Sequence, residues 1–149
     1  MKHNKLKAFT LLELLVVIAI IGILISLGVA SFGNAQRKSR DSRRREDMKA
    51  VQNGLEQYYA DHGGVYPSNG GLKITDFNTA ITVAGTQYFP AGAPTDPKIT
   101  QSYGIRSSAN GFCACAFLET PGAGNATAMP TSISCTFGTG NYFCVSNLQ

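Results

Sequence analysis

From Phe9 to Phe32 the chain reads FTLLELLVVIAIIGILISLGVASF, an apolar run in which Glu13 is the only charged residue. A run of this length meets the ~20 residues a helix needs to cross the hydrocarbon core of a bilayer. A backbone in hydrocarbon must satisfy its own hydrogen bonds, so a single spanning segment has to be helical. No proline occurs from Met1 to Asp61, so nothing forces that helix to stop at the membrane edge. Glu13 is the costly element. A charge at the centre of a membrane helix costs about 2.5–3.5 kcal/mol on insertion scales, less near its start, and an acid kept there has a partner or a task.

The run is not an ordinary secretory signal. Such signals carry about 7–15 apolar residues followed by a small-residue cleavage site; here the apolar residues continue without one, and the chain is expected to stay anchored in the membrane. The basic stretch MKHNKLKA precedes the run, so any cut falls before it. Removing Lys2, Lys5 and Lys7 lowers the formal net charge from +4 to +1 before the new amine is counted. The pI near 9.0 thus comes partly from a leader and does not argue for a nucleic-acid partner. After Lys49 the basic residues are Lys73, Lys98 and Arg106, against five acids, which also argues against nucleic acid.

Four segments follow: a polar leader at 1–8, a hydrophobic helix at 9–33, an amphipathic continuation at 34–62 and a β-rich head at 63–149. The helix is expected from Phe9 to about Asp61, on the order of 80 Å at 1.5 Å per residue. Met48, Val51, Leu55 and Tyr58 or Tyr59 recur at spacings of three and four, a stripe that must lie on a sheet. Arg37–Lys49, RKSRDSRRREDMK, has no apolar stripe and reads as a solvated neck, with contact to anionic lipid head groups as the alternative. Gly63-Gly64 supplies a left-handed helix stop, and Pro67 cannot continue the helix. Residues 67–100 read as loop. Strands are expected at Tyr103–Arg106, Phe112–Glu119 and Tyr142–Ser146, with Pro121–Ser132 a flexible connection. The fold class is α+β: a long N-terminal helix whose second half carries a small antiparallel sheet.

Cys113, Cys115, Cys135 and Cys144 all lie in the last 37 residues. Cys113 and Cys115 share one strand face about 6.5–7 Å apart, which strains a direct bridge. The nested pairs Cys113–Cys144 and Cys115–Cys135 suit an antiparallel return and are slightly favoured over the crossed pairs. Four thiolates on zinc are the rival reading, but the spacing fits no common zinc pattern. No catalytic constellation is found, and no cofactor or metal is expected. His62 reads as a solvated residue at the helix exit. Asp76, Asp96 and Glu119 read as scattered single acids, Asp96 stabilising a turn. The sequon Asn125-Ala126-Thr127 lies in the flexible connection.

KAFTLLELLVVIAIIG resembles the N-terminal signature of type IV pilins and type II secretion pseudopilins, and EQYYADHGGVYP (Glu56–Pro67) looks like their helix exit. The resemblance implies that a prepilin peptidase cuts between Ala8 and Phe9, that Phe9 is then N-methylated, and that Glu13 is the acid at the fifth mature position. Two positions depart from the pattern: Ala8 stands where glycine is usual, and Ala30 where many members have proline. It further implies a homo-oligomeric helical filament, membrane lipid around the helix before assembly, and pilus or secretion machinery as partner. In such filaments the acid meets the N-terminal amine of a neighbouring subunit; Glu13, one turn from Phe9, could also pair with its own amine. Some pseudopilins hold calcium in a head loop, but no run of alternating acids supports one here. The positive-inside count opposes a head outside the cytoplasm, with Arg37, Lys38, Arg40, Arg43, Arg44 and Arg45 set against the three leader lysines; the leader signature and the cysteines outweigh it. The expected role is a structural subunit rather than an enzyme, foremost the major subunit of a pilus, with a pseudopilin of a secretion or DNA-uptake machine as the alternative and a non-polymerising membrane-tethered binding module as the reading of another class.

Overall fold

The computed structural model describes residues 9–70 and 75–149, apart from the side chains of Leu27, Val29, Ala30 and Ser31. The leader with Ala8, and Lys73, lie outside the described residues. By contacts the chain divides into two units, Met1–Gln36 and Arg37–Gln149.

Helix α1 runs Leu11–Asp61, 51 residues. It begins two residues later than the apolar run, because Phe9 and Thr10 are not helical. Its other end falls where expected: Gly63 and Gly64 take φ of 68° and 83°, and Gly64 N–H returns to the Tyr59 carbonyl at 3.0 Å. An L-residue pays a steric penalty at such φ, so this stop depends on glycine.

The second unit is built on the part of α1 that starts at Arg37. The expected stripe is there: Met48, Val51 and Leu55 are fully buried. Five antiparallel strands follow: β1 Gly104–Ser108, β2 Gly111–Phe117, β3 Gly124–Ala126, β4 Phe137–Gly140 and β5 Tyr142–Ser146, in spatial order β1-β2-β5-β3-β4. Ile105, Phe112, Ala114, Ala116 and Val145 join the α1 stripe in one core. Cys113, Cys115 and Cys144 leave the opposite face and pack with Ala126, Met129 and Tyr142. Strand β2 is therefore covered on both faces, which is why FCACAF reads as a continuous apolar run rather than an alternation.

Two stretches read as loop are ordered elements. Within 67–100, Phe77–Ala84 forms helix α2. Asp76 caps it by accepting from the Thr79 amide at 2.7 Å, and Phe77, Ala80, Ile81 and Ala84 face the core. These sit at i, i+3, i+4 and i+7, a helical signature diluted by the Thr and Val between them. Within 121–132, β3 joins β5 partly through a side chain. Asn125 Nδ2 donates to the Cys144 carbonyl at 2.9 Å and its Oδ1 accepts from the Cys144 amide at 2.7 Å. The asparagine of the sequon is thereby held inside the sheet.

Gly54, in the buried half of α1, has a specific cause. A Cβ there would come within 2.5 Å of the Phe89 ring, which is packed flush on the helix backbone.

Candidate assembly helix and head anchor

In the first unit the N-terminus of α1 is closed by Thr10 and Glu13. The Thr10 amide and hydroxyl both donate to Glu13 Oε2 at 2.9 Å, and the Glu13 amide donates to Thr10 Oγ1 at 3.2 Å. This is a capping box, in which an N-cap Thr and an acid three residues on satisfy each other's backbone donors. The T-x-x-E spacing before an apolar run was its available signal. Both bonds to the carboxylate end on Oε2. Phe9, ahead of the cap, is 89% exposed.

Downstream, the large side chains from Leu11 to Ile25 remain about half exposed or more. A contiguous apolar surface of this kind on one chain must be met by lipid or by other chains. A Cβ at Gly22, Gly28 or Gly33 would meet nothing within 4 Å, so these positions are open to close approach by another helix. The Ser26 hydroxyl donates to the Ile23 carbonyl at 2.7 Å, so it needs no outside partner. Among the described residues no helix is long and apolar enough to cross a membrane; the described side chains of the run are interrupted at Leu27. The unbroken run is visible in the sequence.

The second unit corrects the reading of Arg37–Lys49 as a solvated neck on one face only: Arg37, Lys38, Arg43 and Lys49 are exposed, but the opposite side is packed into the head. Arg44 is wholly buried. Its Nε and Nη2 bind the two Asp96 carboxylate oxygens at 2.7 and 2.8 Å. Nη2 also donates to Gln101 Oε1 at 2.8 Å, and Nη1 to Asp41 Oδ1 at 3.0 Å and Glu119 Oε1 at 2.9 Å. All five guanidinium donors are thus satisfied. Arg40 adds a two-pronged contact to Glu119 at 2.7 Å on each arm. Asp41 accepts from the amides of Glu119 and Thr120 at 2.8 and 2.9 Å. Arg45 reaches the Ala123 carbonyl at 2.8 Å and lies over the Phe143 ring. Asp96 and Glu119 are therefore not scattered acids: with Asp41 they hold the loops before β1 and after β2 onto α1 through one buried cation.

The electrostatics follow from this packing. The hydrogen bond from Arg40, with Arg44 behind it, lowers Glu119 to about 2 despite burial. Burial pushes Asp41 up, but the Glu119 and Thr120 amides and Arg44 outweigh it and the carboxyl ends below its usual range. Bonding to Asp96 above all raises Arg44, so it stays charged at any working pH. Burial, then Asp47, raises Tyr103 in the same way.

All four cysteines are oxidised, in the crossed arrangement: Cys113–Cys135 and Cys115–Cys144. The favoured nested pairs are corrected by register. Cys115 stands directly opposite Cys144, with Cα atoms 4.1 Å apart, and Cys113 stands opposite Ser146. Nesting would need the β2–β5 register moved by two residues. Cys113 is left for Cys135, in the segment that covers the outer face of the sheet. His62 is locally satisfied, stacked on Tyr58 at 3.7 Å with Nδ1–H donating to the Tyr58 carbonyl at 2.9 Å.

With these features in place the comparisons with known proteins become informative. Residues 3–29 match the family model described as the prokaryotic N-terminal methylation motif. The chain is similar to the type II secretion system core protein G of Escherichia coli K12, 37% identical over 70 residues, 47% of this chain and 48% of that protein. It is also similar to the proteins so named from Aeromonas hydrophila, 37% over 68 residues (46% of this chain, 47% of that protein), and Vibrio cholerae El Tor, 37% over 67 residues (45% of each). The aligned part spans about half the length of these relatives. No solved structure matches. The chain carries the methylation motif and resembles the type IV pilin-like pseudopilins, a family of structural subunits rather than enzymes.

Proposed function

We propose that this chain is a pseudopilin: a membrane-anchored precursor that assembles, through its N-terminal helix, into the short filament of a type II secretion machine. One observation carries the reading. The methylation motif at 3–29 falls on the helix that exposes an apolar surface and a lone acid, in a chain 37% identical over 70 residues to a secretion core protein. The similarity to three secretion proteins favours this reading over the major subunit of a surface pilus, which the sequence put first.

In this account prepilin peptidase cuts between Ala8 and Phe9, Phe9 is N-methylated, and residues 9–33 lie in lipid until the subunit joins its neighbours. The capping box gives Glu13 two functions. Oε2 finishes the helix, while the negative charge of the carboxylate serves the cation that cleavage creates at Phe9, on the same or a neighbouring subunit. An unpaired charge in an apolar bundle is strongly unfavourable, so the pair sets the height of one subunit against the next. The head lies outside the cytoplasm. The positive-inside count stands against this, and the leader motif and the disulfides support it.

Mass spectrometry of the chain co-expressed with a prepilin peptidase tests the processing: the mature form should begin at a monomethylated Phe9. Expression in a host lacking its own core protein G tests the machine, with restored secretion expected. Surface filaments without restored secretion would return the reading to a pilus. Labelling on intact cells of a cysteine introduced at the fully exposed Ile99 (Ile99→Cys) tests the topology, since the native cysteines are all disulfide-bonded; a head protected from the reagent overturns the whole account.

A further inference from the structure

The four cysteine sulfurs all lie within 4.8 Å of one another, and the Sγ atoms of Cys113 and Cys115, in different disulfides, are 3.8 Å apart. Zinc–thiolate bonds of about 2.3 Å place the sulfurs of a tetrahedral site about 3.8 Å apart. One edge of such a tetrahedron already has the right length. Opening the two disulfides lets each bonded pair move apart by about 2 Å, within reach of side-chain rotation with the strands in place. Cys113, Cys115 and Cys144 are buried on the outer face of the sheet and Cys135 is half-buried over them, and four soft sulfur donors select zinc over hard cations. The linear spacing fits no common zinc pattern because these ligands converge through strand register and not through a local knuckle.

We propose that the reduced form of this chain holds one zinc ion on Cys113, Cys115, Cys135 and Cys144, so that the outer layer of the head has a metal-held state in reducing surroundings and a disulfide-held state in oxidising ones. A dithiol opens each disulfide, passing two electrons and two protons to the cysteine pair and closing to its own disulfide. Zinc binding then displaces the four thiol protons. Re-oxidation by two equivalents of a disulfide of higher potential takes two electrons from each cysteine pair, reduces that disulfide to thiols with protons from water, and releases the metal.

The test uses the full chain in detergent micelles, reduced by an immobilised phosphine that is removed before metal is added. Cobalt(II) should bind at one equivalent with the intense visible bands of a tetrahedral site and a thiolate charge-transfer band. Zinc should displace it and raise the thermal midpoint of the reduced head. The oxidised chain should show no such spectrum, and Cys135→Ser should lose its intensity. A six-coordinate spectrum, or equal binding by the oxidised chain, overturns the proposal. So does tetrahedral binding that leaves the midpoint of the reduced head unchanged, because the ligands then belong to the unfolded chain.

Discussion

The two halves of α1 share a backbone and little else. From Leu11 to Ile25 the large Leu, Ile and Val side chains stand about half exposed or more. From Arg40 to Leu55 it buries not only Met48, Val51 and Leu55 but also Arg44 and Asp41. The apolar half is incomplete as a monomer, whereas the charged half is complete. Hydropathy alone would assign solvent the other way round. What decides is the availability of partners: the head brings Asp96, Gln101 and Glu119 to the arginines, while the leucines stay exposed.

The largest test of this contrast is Arg44→Ala. It leaves Asp41, Asp96 and Glu119 facing one another without their shared cation, and losing one partner of a buried ionic cluster costs about 3–5 kcal/mol. Chemical unfolding of the head should register most of that. Arg44→Lys should rescue only part, because an ammonium cannot span five acceptors. A loss below about 1 kcal/mol would mean that the apolar core alone holds the loops.

Acid probes the same cluster without mutation. Glu119 sits at about 2 in the folded head against an ordinary 4.5, and Asp41 is shifted the same way. The unfolded chain therefore takes up these protons first as pH falls. The stabilisation is fully present above about 4.5 and is lost progressively towards about 2. A thermal midpoint that stays flat across that window would remove the cluster as a source of stability.

Two glycines in the one helix sharpen the comparison. Alanine is the better helix former by up to about 1 kcal/mol. At Gly54 that gain meets the Phe89 ring, and overpacking costs about 1–3 kcal/mol, so Gly54→Ala should lower the head's thermal midpoint. At Gly22 nothing is within reach, and Gly22→Ala should leave head stability within about 0.5 kcal/mol. Equal effects at both positions would dissolve the distinction between the halves.

Legibility in the sequence followed the range of the interactions. The Met48–Leu55 stripe and the Gly63-Gly64 stop are local patterns and could be read. Apart from Asp41, one turn away, the partners of Arg44 lie 52 to 75 residues off, and no spacing rule connects them, so a buried anchor looked like a charged neck. The crossed disulfides depended on a strand register that two residues of slip would have changed. Helix α2 and the capping box are different cases. Their periods, DFNTAITVA and TLLE, were present and local, but the first is masked by β-branched residues and the second by the charge of Glu13, which stands out in an apolar run more than a hydrogen-bonding spacing does.

The capping box also allows the smallest and most discriminating experiment. Glutamine accepts the same bonds as glutamate at this cap position, so Glu13→Gln keeps the helix start and removes only the charge. Thr10→Val does the reverse: it removes the N-cap acceptor, at about 1 kcal/mol confined to the first turn, and keeps the carboxylate. Neither change touches the head, whose unfolding should be unaltered in both. If Glu13 serves as a charge that sets subunit height, Glu13→Gln should abolish assembly, scored by in vivo cross-linking between neighbouring helices, while Thr10→Val should weaken it only mildly. If its task is to finish the helix, the order reverses. Assembly undiminished in both variants would leave the acid without either role.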